Sequence, residues 1–187
     1  MAATWVRAVA LLRGINIGTS KRVPMADLRR VMTDLGYSDV VTLLNSGNAV
    51  FSAPAAAVRR AAADIEAAVA AELAVTCSVV VRTAAELVAA LAGDPLGDVA
   101  TDPARHLVGF LSAEPDAAAA AWLADLEVAP DQIRLVGRHV YLWTPSGVLS
   151  GPLSKAPWER KLKVAVTSRN VNTVAKLVAM SAAREGN

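Results

Sequence analysis

Apolar and polar positions along this chain alternate between two periods. The opening run WVRAVALLRG mixes a nearly continuous apolar stretch with two arginines and predicts a buried strand. In VPMADLRRVMTDLG, Leu28, Val31, Met32 and Leu35 recur at helical spacing. Pro24 suits the first turn of that helix and Gly36 a left-handed stop. DVVTLLNSGNAVF predicts two strands around a turn at Asn45-Ser46-Gly47-Asn48. PAAAVRRAAADIEAAVAAEL predicts a second helix with Val58, Ala62, Ile65, Val69 and Leu73 on one face, and CSVVVRT a fourth strand. This order, β-α-β-β-α-β, is that of the split βαβ, ferredoxin-like plait: an antiparallel four-stranded sheet with two helices on one face.

The second half partly repeats the theme. TAAELVAALAG is a short helix in which Thr83 and Glu86 have the spacing of a capping box. DPLGDVATDPA is a loop, RHLVGFLS a strand, and EPDAAAAAWLADLE a helix with Trp122, Leu123 and Leu126 on its apolar side. QIRLVGRHVYLW predicts a hairpin about Gly137-Arg138. SKAPWERKL begins a helix, VAVTSRN is extended, and VNTVAKLVAMSAARE closes as a helix with Val171, Val174 and Val178 inward. The expected fold is therefore α+β: two ferredoxin-like (alpha-beta plait) subdomains, mainly antiparallel sheets with helices packed on them, over residues 1–82 and 83–187. The repeat is one of element order, without a residue-level echo.

Composition narrows the picture. At 187 residues the chain can bury a real core, and much of its 54% hydrophobic content is alanine. No uncharged apolar run approaches the roughly 20 residues a membrane helix needs, and Ala8–Leu12 is too short for a signal-peptide core. A cytoplasmic location without a membrane partner is the expectation. The single cysteine, Cys77, lies in an apolar strand-like run and reads as a buried small hydrophobe. His106 and His139 have neither an i+4 His nor a nearby Cys, and Asp94, Asp98 and Asp102 lack calcium-loop spacing and read as a solvated linker. No metal and no cofactor is expected. There is no G-x-S-x-G elbow and no partner for the cysteine, so no catalytic residue is assigned and the question of an enzyme stays open.

Charge is unevenly spread. Residues 1–30 carry a net +5, residues 31–150 a net −8, and residues 151–187 a net +5. Two basic ends meeting in space make a face for anions. The first end holds LLRGINIGTSKR. Its glycines fit neither the P-loop spacing nor G-x-G-x-x-G. What remains is a glycine-relaxed turn with Arg13, Asn16, Thr19, Ser20, Lys21 and Arg22. The far end holds LSKAPWERKLKVAVTSRNVNTV, where Lys155, Arg160, Lys161, Lys163 and Arg169 face Glu159 alone. Arg169, Asn170, Asn172 and Thr173 sit where the last helix begins, a place that suits an anion or a cap. Only eight aromatics are present, few for stacking nucleic-acid bases on a sheet.

Taken together and in order, ALLRGINIG, VPMADLRRVMTDLGY, NSGNAVF, VVVRTAAEL, VGRHVYLW and SRNVNTVAKL resemble the bacterial family known as domain of unknown function 1697, from about Val9 to Val178. The resemblance implies two alpha-beta plait subdomains and no activity. It maps the family's recurrent polar motifs onto Arg13, Gly14, Asn16 and Gly18, onto Ser46, Gly47 and Asn48, onto Lys155, and onto Thr167, Arg169, Asn170, Asn172 and Thr173. Two departures stand out: Asn45 where a glutamine is usual, and Trp158 with Val171 in place of an aromatic nearer the last motif.

The functional expectation is a small anionic or phosphorylated ligand in a basic cleft between the subdomains. Arg13, Asn16, Lys155 and Arg169 would supply charge and donors; Asn48, Asn170 and Asn172 would orient the ligand; Gly14, Gly18 and Ser46 would line it. Lys155 is the one candidate acid or base, on condition that burial or neighbouring cations lower its pKa. Two alternatives stand beside this: sequence-independent binding of a nucleic-acid backbone, and a non-catalytic scaffold or dimerisation module. The oligomeric state stays open.

Overall fold

The computed structural model describes residues 4–18 and 21–182, so Thr19, Ser20 and the last residues of the expected C-terminal helix lie outside the described residues. The chain forms two compact units. One comprises the described residues to Leu87 with those from Leu177 onward; the other is Val88–Lys176.

In the first unit, β1 (Trp5–Arg13) leads to α1 (Met25–Asp34), β2 (Ser38–Leu43), β3 (Asn48–Pro54), α2 (Ala55–Val58), α3 (Ala61–Leu73) and β4 (Ser78–Thr83). The sheet order is β2-β3-β1-β4, all antiparallel neighbours. This is the ferredoxin-like plait. Its helix-facing core gathers Ala8, Ala10 and Leu12 of β1 with Leu28, Val31 and Met32 of α1 and Ile65 and Val69 of α3. Val9 and Leu11, on the other face of β1, are also fully buried. A strand buried on both faces has no reason to alternate, which explains its continuous apolar run. Each such leucine or phenylalanine contributes about 1.5–3 kcal/mol on burial.

The helix expected over residues 54–73 is broken at Arg59-Arg60. The restart turns Ala61, Ile65 and Val69, four apart, into the core and leaves Val58 only half-buried. Cys77 is half-buried rather than buried, packed on the rim of the same core, and this desolvation raises its thiol pKa.

The second unit repeats the design. After α4 (Ala84–Ala92) come β5 (His106–Leu111), α5 (Ala117–Ala124), β6 (Gln132–Val136), β7 (His139–Trp143), a 3-10 turn at Pro152–Ser154, α6 (Trp158–Leu162), β8 (Val166–Asn170) and α7 (Val171–Ala182). The sheet order, β6-β7-β5-β8, is that of the first sheet. Leu107, Leu111, Val140 and Leu142 face the helices with Leu123, Trp158 and Leu162. On the opposite face Tyr141 donates to the carbonyl of Ala90 at 2.7 Å, which seats the end of α4 there. Asp94 corrects the solvated-linker expectation: its Oδ2 lies 3.0 Å from His106 Nε2 and both side chains are nearly buried. The loop uses this carboxylate as an anchor, because its Oδ1 also accepts from the Leu96 N–H. On α7 the buried stripe is Thr173, Val174 and Leu177, while Val171 and Val178 are half-buried, a small rotation from the expected face.

The capping box is present. The Thr83 N–H donates to Glu86 Oε2 at 2.7 Å, and the Glu86 N–H to Thr83 Oγ1 at 3.2 Å. Asn170 plays the equivalent part for α7, its Oδ1 accepting from the Thr173 N–H at 2.9 Å. The two strand-to-helix junctions are equivalent in register as well: Val9 pairs with Arg82 and Val108 with Arg169.

Candidate anion site

The β1–α1 loop is built on residues that reach the left-handed region. Gly14, Asn16, Gly18 and Lys21 have φ of 82°, 54°, 63° and 57°. Asn16 holds the loop shut. Its Nδ2 donates to the carbonyls of Val23 at 3.0 Å and Asn45 at 2.7 Å, its Oδ1 accepts from the Val23 N–H at 2.9 Å, and its own N–H donates to Lys21. Asparagine is suited to this because its short amide pays back the left-handed backbone locally.

The β2–β3 turn is fitted to that loop. The Leu12 N–H donates to the Gly47 carbonyl at 2.8 Å. A Cβ on Gly47, whose φ is +80°, would sit 2.7 Å from Ile15 Cδ1 and 2.8 Å from Leu12 Cβ. Only glycine permits this approach. Asn48 is fully buried, and its Nδ2 donates to the Leu43 carbonyl and to Ser46 Oγ. The first two motifs thus stand side by side in one plait. Asn16 and Asn48 spend both amide hydrogens inside the protein, as builders of the wall.

Against this wall lies a cavity of about 380 Å³, lined chiefly by Asn16, Gly18, Arg22, Pro24, Met25 and Asn45. α1 begins here with Pro24 in the N-cap position and no side-chain cap. Proline carries no cap, so the first amides of α1 are left to solvent or to a ligand. Of the basic residues of this loop Arg22 lines the cavity, and Arg13, Lys21 and Arg22 are all exposed. The sequence placed Arg22 in a basic run without singling it out, and Asn45 in a turn and as a departure from the family's glutamine; Met25 carried no signal, since its place depends on that turn folding back onto the loop.

In the second plait Lys155 is exposed at the end of the 3-10 turn, without the burial that an acid-base role requires. Its segment is held by buried Asp131, whose Oδ2 accepts from the Leu153 N–H at 2.9 Å while Gly151 packs on the carboxylate. Arg169 is half-buried on β8. Its guanidinium donates to the Ser168 carbonyl at 2.8 Å, and burial pulls its pKa down to about 10. Asn170 is committed as the α7 cap, and Asn172 is exposed beside it. Among the described residues no three His, Cys, Asp or Glu side chains group as metal ligands. No helix among them is long and apolar enough to cross a membrane.

Residues 6–141 match the family model described as Protein of unknown function (DUF1697), well over half of the chain. The chain belongs to the DUF1697 family. The span that carries DUF1697 membership takes in all but the first residue of β1 and the rest of the first sheet, with the loop and the turn, and stops before Lys155 and Arg169. Among solved structures, the conserved bacterial protein SP0830 from Streptococcus pneumoniae is similar with a TM-score of 0.74 and 24% identity, over 95% of this chain and 99% of that one. That likeness shows that the DUF1697 chain and SP0830 share a fold. No curated protein matches.

Proposed function

We propose that this DUF1697 protein binds a small anionic or phosphorylated molecule, with the anionic group seated in the first plait between the β1–α1 loop and the β2–β3 turn. The observation that carries the reading is the cavity where an uncapped helix start, Arg22 and the glycine-bearing loop come together. Backbone amides at a helix start and a nearby guanidinium are complementary to an oxyanion. Asn16 and Gly47 serve by fixing the loop before any ligand arrives, which lowers the ordering cost of binding.

Phe51, Phe110 and Tyr141, on the sheets, are buried and offer no face for nucleic-acid bases to stack on. The test is a thermal-shift series with phosphate, sulfate, nucleotides, sugar phosphates and coenzyme A. At least one should raise the melting temperature in a concentration-dependent way. Arg22→Ala should weaken that ligand about tenfold, the usual worth of one charge-assisted contact. A silent screen, or an Arg22→Ala protein that binds as tightly as the parent, would discard the reading. The same titration on Lys155→Ala and Arg169→Ala decides whether the second plait contributes to the ligand.

A further inference from the structure

The cavity between the β1–α1 loop and the β2–β3 turn has an apolar edge that an inorganic anion would not use. Ile17 lies between Asn16 and Gly18, which both line the cavity, and Leu44 immediately precedes the lining residue Asn45. The hydrogen bond from Asn16 Nδ2 to the Asn45 carbonyl, at 2.7 Å, ties the two stretches together at that point. Ile17 and Leu44 are the neighbours of its two partners, and they are 67% and 58% exposed. Single aliphatic side chains on a surface need no explanation. A pair brought together by a loop and a turn is different, and Leu44 carries a further sign. Its φ is +58°, left-handed backbone that leucine rarely adopts and that glycine or asparagine adopts readily. Backbone strain is held here with the leucine side chain in solvent, where the core gains nothing from it. Within the cavity Pro24 and Met25 continue the apolar surface. The charge is of one sign: Arg22 lines the cavity, Lys21 is exposed next to it in the chain, and none of the described lining residues is a carboxylate. Asp27, the acid in the first turn of α1, is not among them.

An anion seat edged by exposed aliphatic side chains is complementary to a molecule with a charged head and a hydrocarbon chain. Phosphate suits the head better than carboxylate does, because its three terminal oxygens can meet a guanidinium and several helix-start amides at once. Resting on the anion reading above, we propose that the molecule bound here is a phosphate monoester of an aliphatic alcohol, its phosphate at Arg22 and the start of α1 and its chain over Ile17 and Leu44.

Hexyl phosphate is the probe, titrated into the labelled full chain and followed at the backbone amides of Gly18 and Met25. Glycerol 3-phosphate keeps the head without the hydrocarbon chain, and 1-hexanol keeps the chain without the charge. Hexyl phosphate should bind at least about tenfold more tightly than glycerol 3-phosphate, and 1-hexanol should not saturate the site at the same concentrations. Leu44→Asn places a residue suited to left-handed backbone, so that protein should melt no lower than the parent. It should nonetheless weaken hexyl phosphate about fivefold and leave glycerol 3-phosphate unchanged. Ile17→Ser should have the same selective effect. Vesicles of phosphatidylcholine, with and without phosphatidic acid, separate two sources of this chemistry. Sedimentation with the phosphatidic acid vesicles alone, lost in Leu44→Asn, identifies a lipid headgroup; hexyl phosphate binding without sedimentation identifies a free ester. Equal binding of hexyl phosphate and glycerol 3-phosphate, or variants that both keep the parent's preference, overturns this inference and leaves the anion site standing. If inorganic phosphate, glycerol 3-phosphate and hexyl phosphate all leave the two amides unmoved, the anion reading fails and this inference with it.

Discussion

The two plaits share one sheet order and one register at their last strands, yet they connect the first strand to the first helix in different ways. In the second plait residues 112–116 make the passage, and Asp116 caps α5 by accepting from the Ala119 N–H at 2.7 Å. In the first plait residues 14–24 do it, with left-handed positions at Gly14, Asn16, Gly18 and Lys21 and no side-chain cap on α1. The second connection is what the fold needs. The first is longer, uses left-handed backbone and leaves α1 without a side-chain cap, features that a bare scaffold does not require. The hairpins follow suit. A Cβ on Gly137 would meet nothing, whereas one on Gly47 would strike the loop. The elaborated corner of the first plait is therefore where a function is expected, and the plain corner of the second shows what the bare architecture looks like.

The comparison breaks or sharpens most strongly at those two glycines. Gly47→Ala combines a left-handed backbone with a clash on Leu12 and Ile15 and should cost about 2–4 kcal/mol. Gly137→Ala has only the backbone term and should cost about 1 kcal/mol. Denaturant unfolding of the pair measures the difference, and equal costs would show that the β1–α1 loop yields to the turn.

Next is Asn16→Ala, which deletes three side-chain hydrogen bonds and strands two carbonyls. A loss of about 2 kcal/mol, with weaker anion binding in the same protein, is the expected result. Stability lost with binding intact would reduce Asn16 to a purely structural role.

Each plait also buries a tyrosine. The Tyr141 hydroxyl donates to Ala90, whereas the Tyr37 hydroxyl, its ring packed at a tilt on Phe51, finds no hydrogen-bond partner among the described residues. Tyr141→Phe should cost about 1 kcal/mol and Tyr37→Phe close to nothing. Burial, helped by Asp94, pushes the Tyr141 phenol up to about 12. Unfolded tyrosine ionises near pH 10, so the stability from keeping this phenol protonated is complete below about pH 10 and lost as pH rises towards 12. Tyr141→Phe should remove that part of the alkaline loss, as followed by circular dichroism against pH.

The smallest effect concerns the caps. The Ala119 N–H, then Lys163, holds the Asp116 carboxyl below its ordinary range. Its contribution is present above the usual carboxylate pKa and fades as pH falls through the lowered one. Asp116→Asn should keep the cap and flatten that acid dependence. Pro24→Asp, which gives α1 the cap that α5 already has, should stabilise by about 0.5–1 kcal/mol and weaken anion binding. Unchanged anion affinity in that variant would argue that the start of α1 is not part of the site.

Much of this was legible in the chain. Thr83 with Glu86, Gly36 after α1 and the β-rich arms about Gly137 are local signals, each decided within a few residues by capping, left-handed backbone or turn chemistry. Periodicity failed where the reason was not local. The helix after Pro54 breaks at two exposed arginines because the sheet beneath asks for a different phase of its apolar stripe. Asp94 looked like a solvated loop acid because its partner, His106, sits on a strand that only the fold brings to it. Asn16 and Asn48 looked like ligand donors because polar residues next to glycines read alike whether they face a ligand or hold a turn.

What the sequence determined by itself is the element order, and with it the plait, since hydrophobic period, caps and turns are short-range properties. What only the tertiary structure decided is how polar residues divide between building and binding. That division depends on which backbone groups remain unsatisfied after distant segments meet, here Asn16 with Asn45 and Leu12 with Gly47.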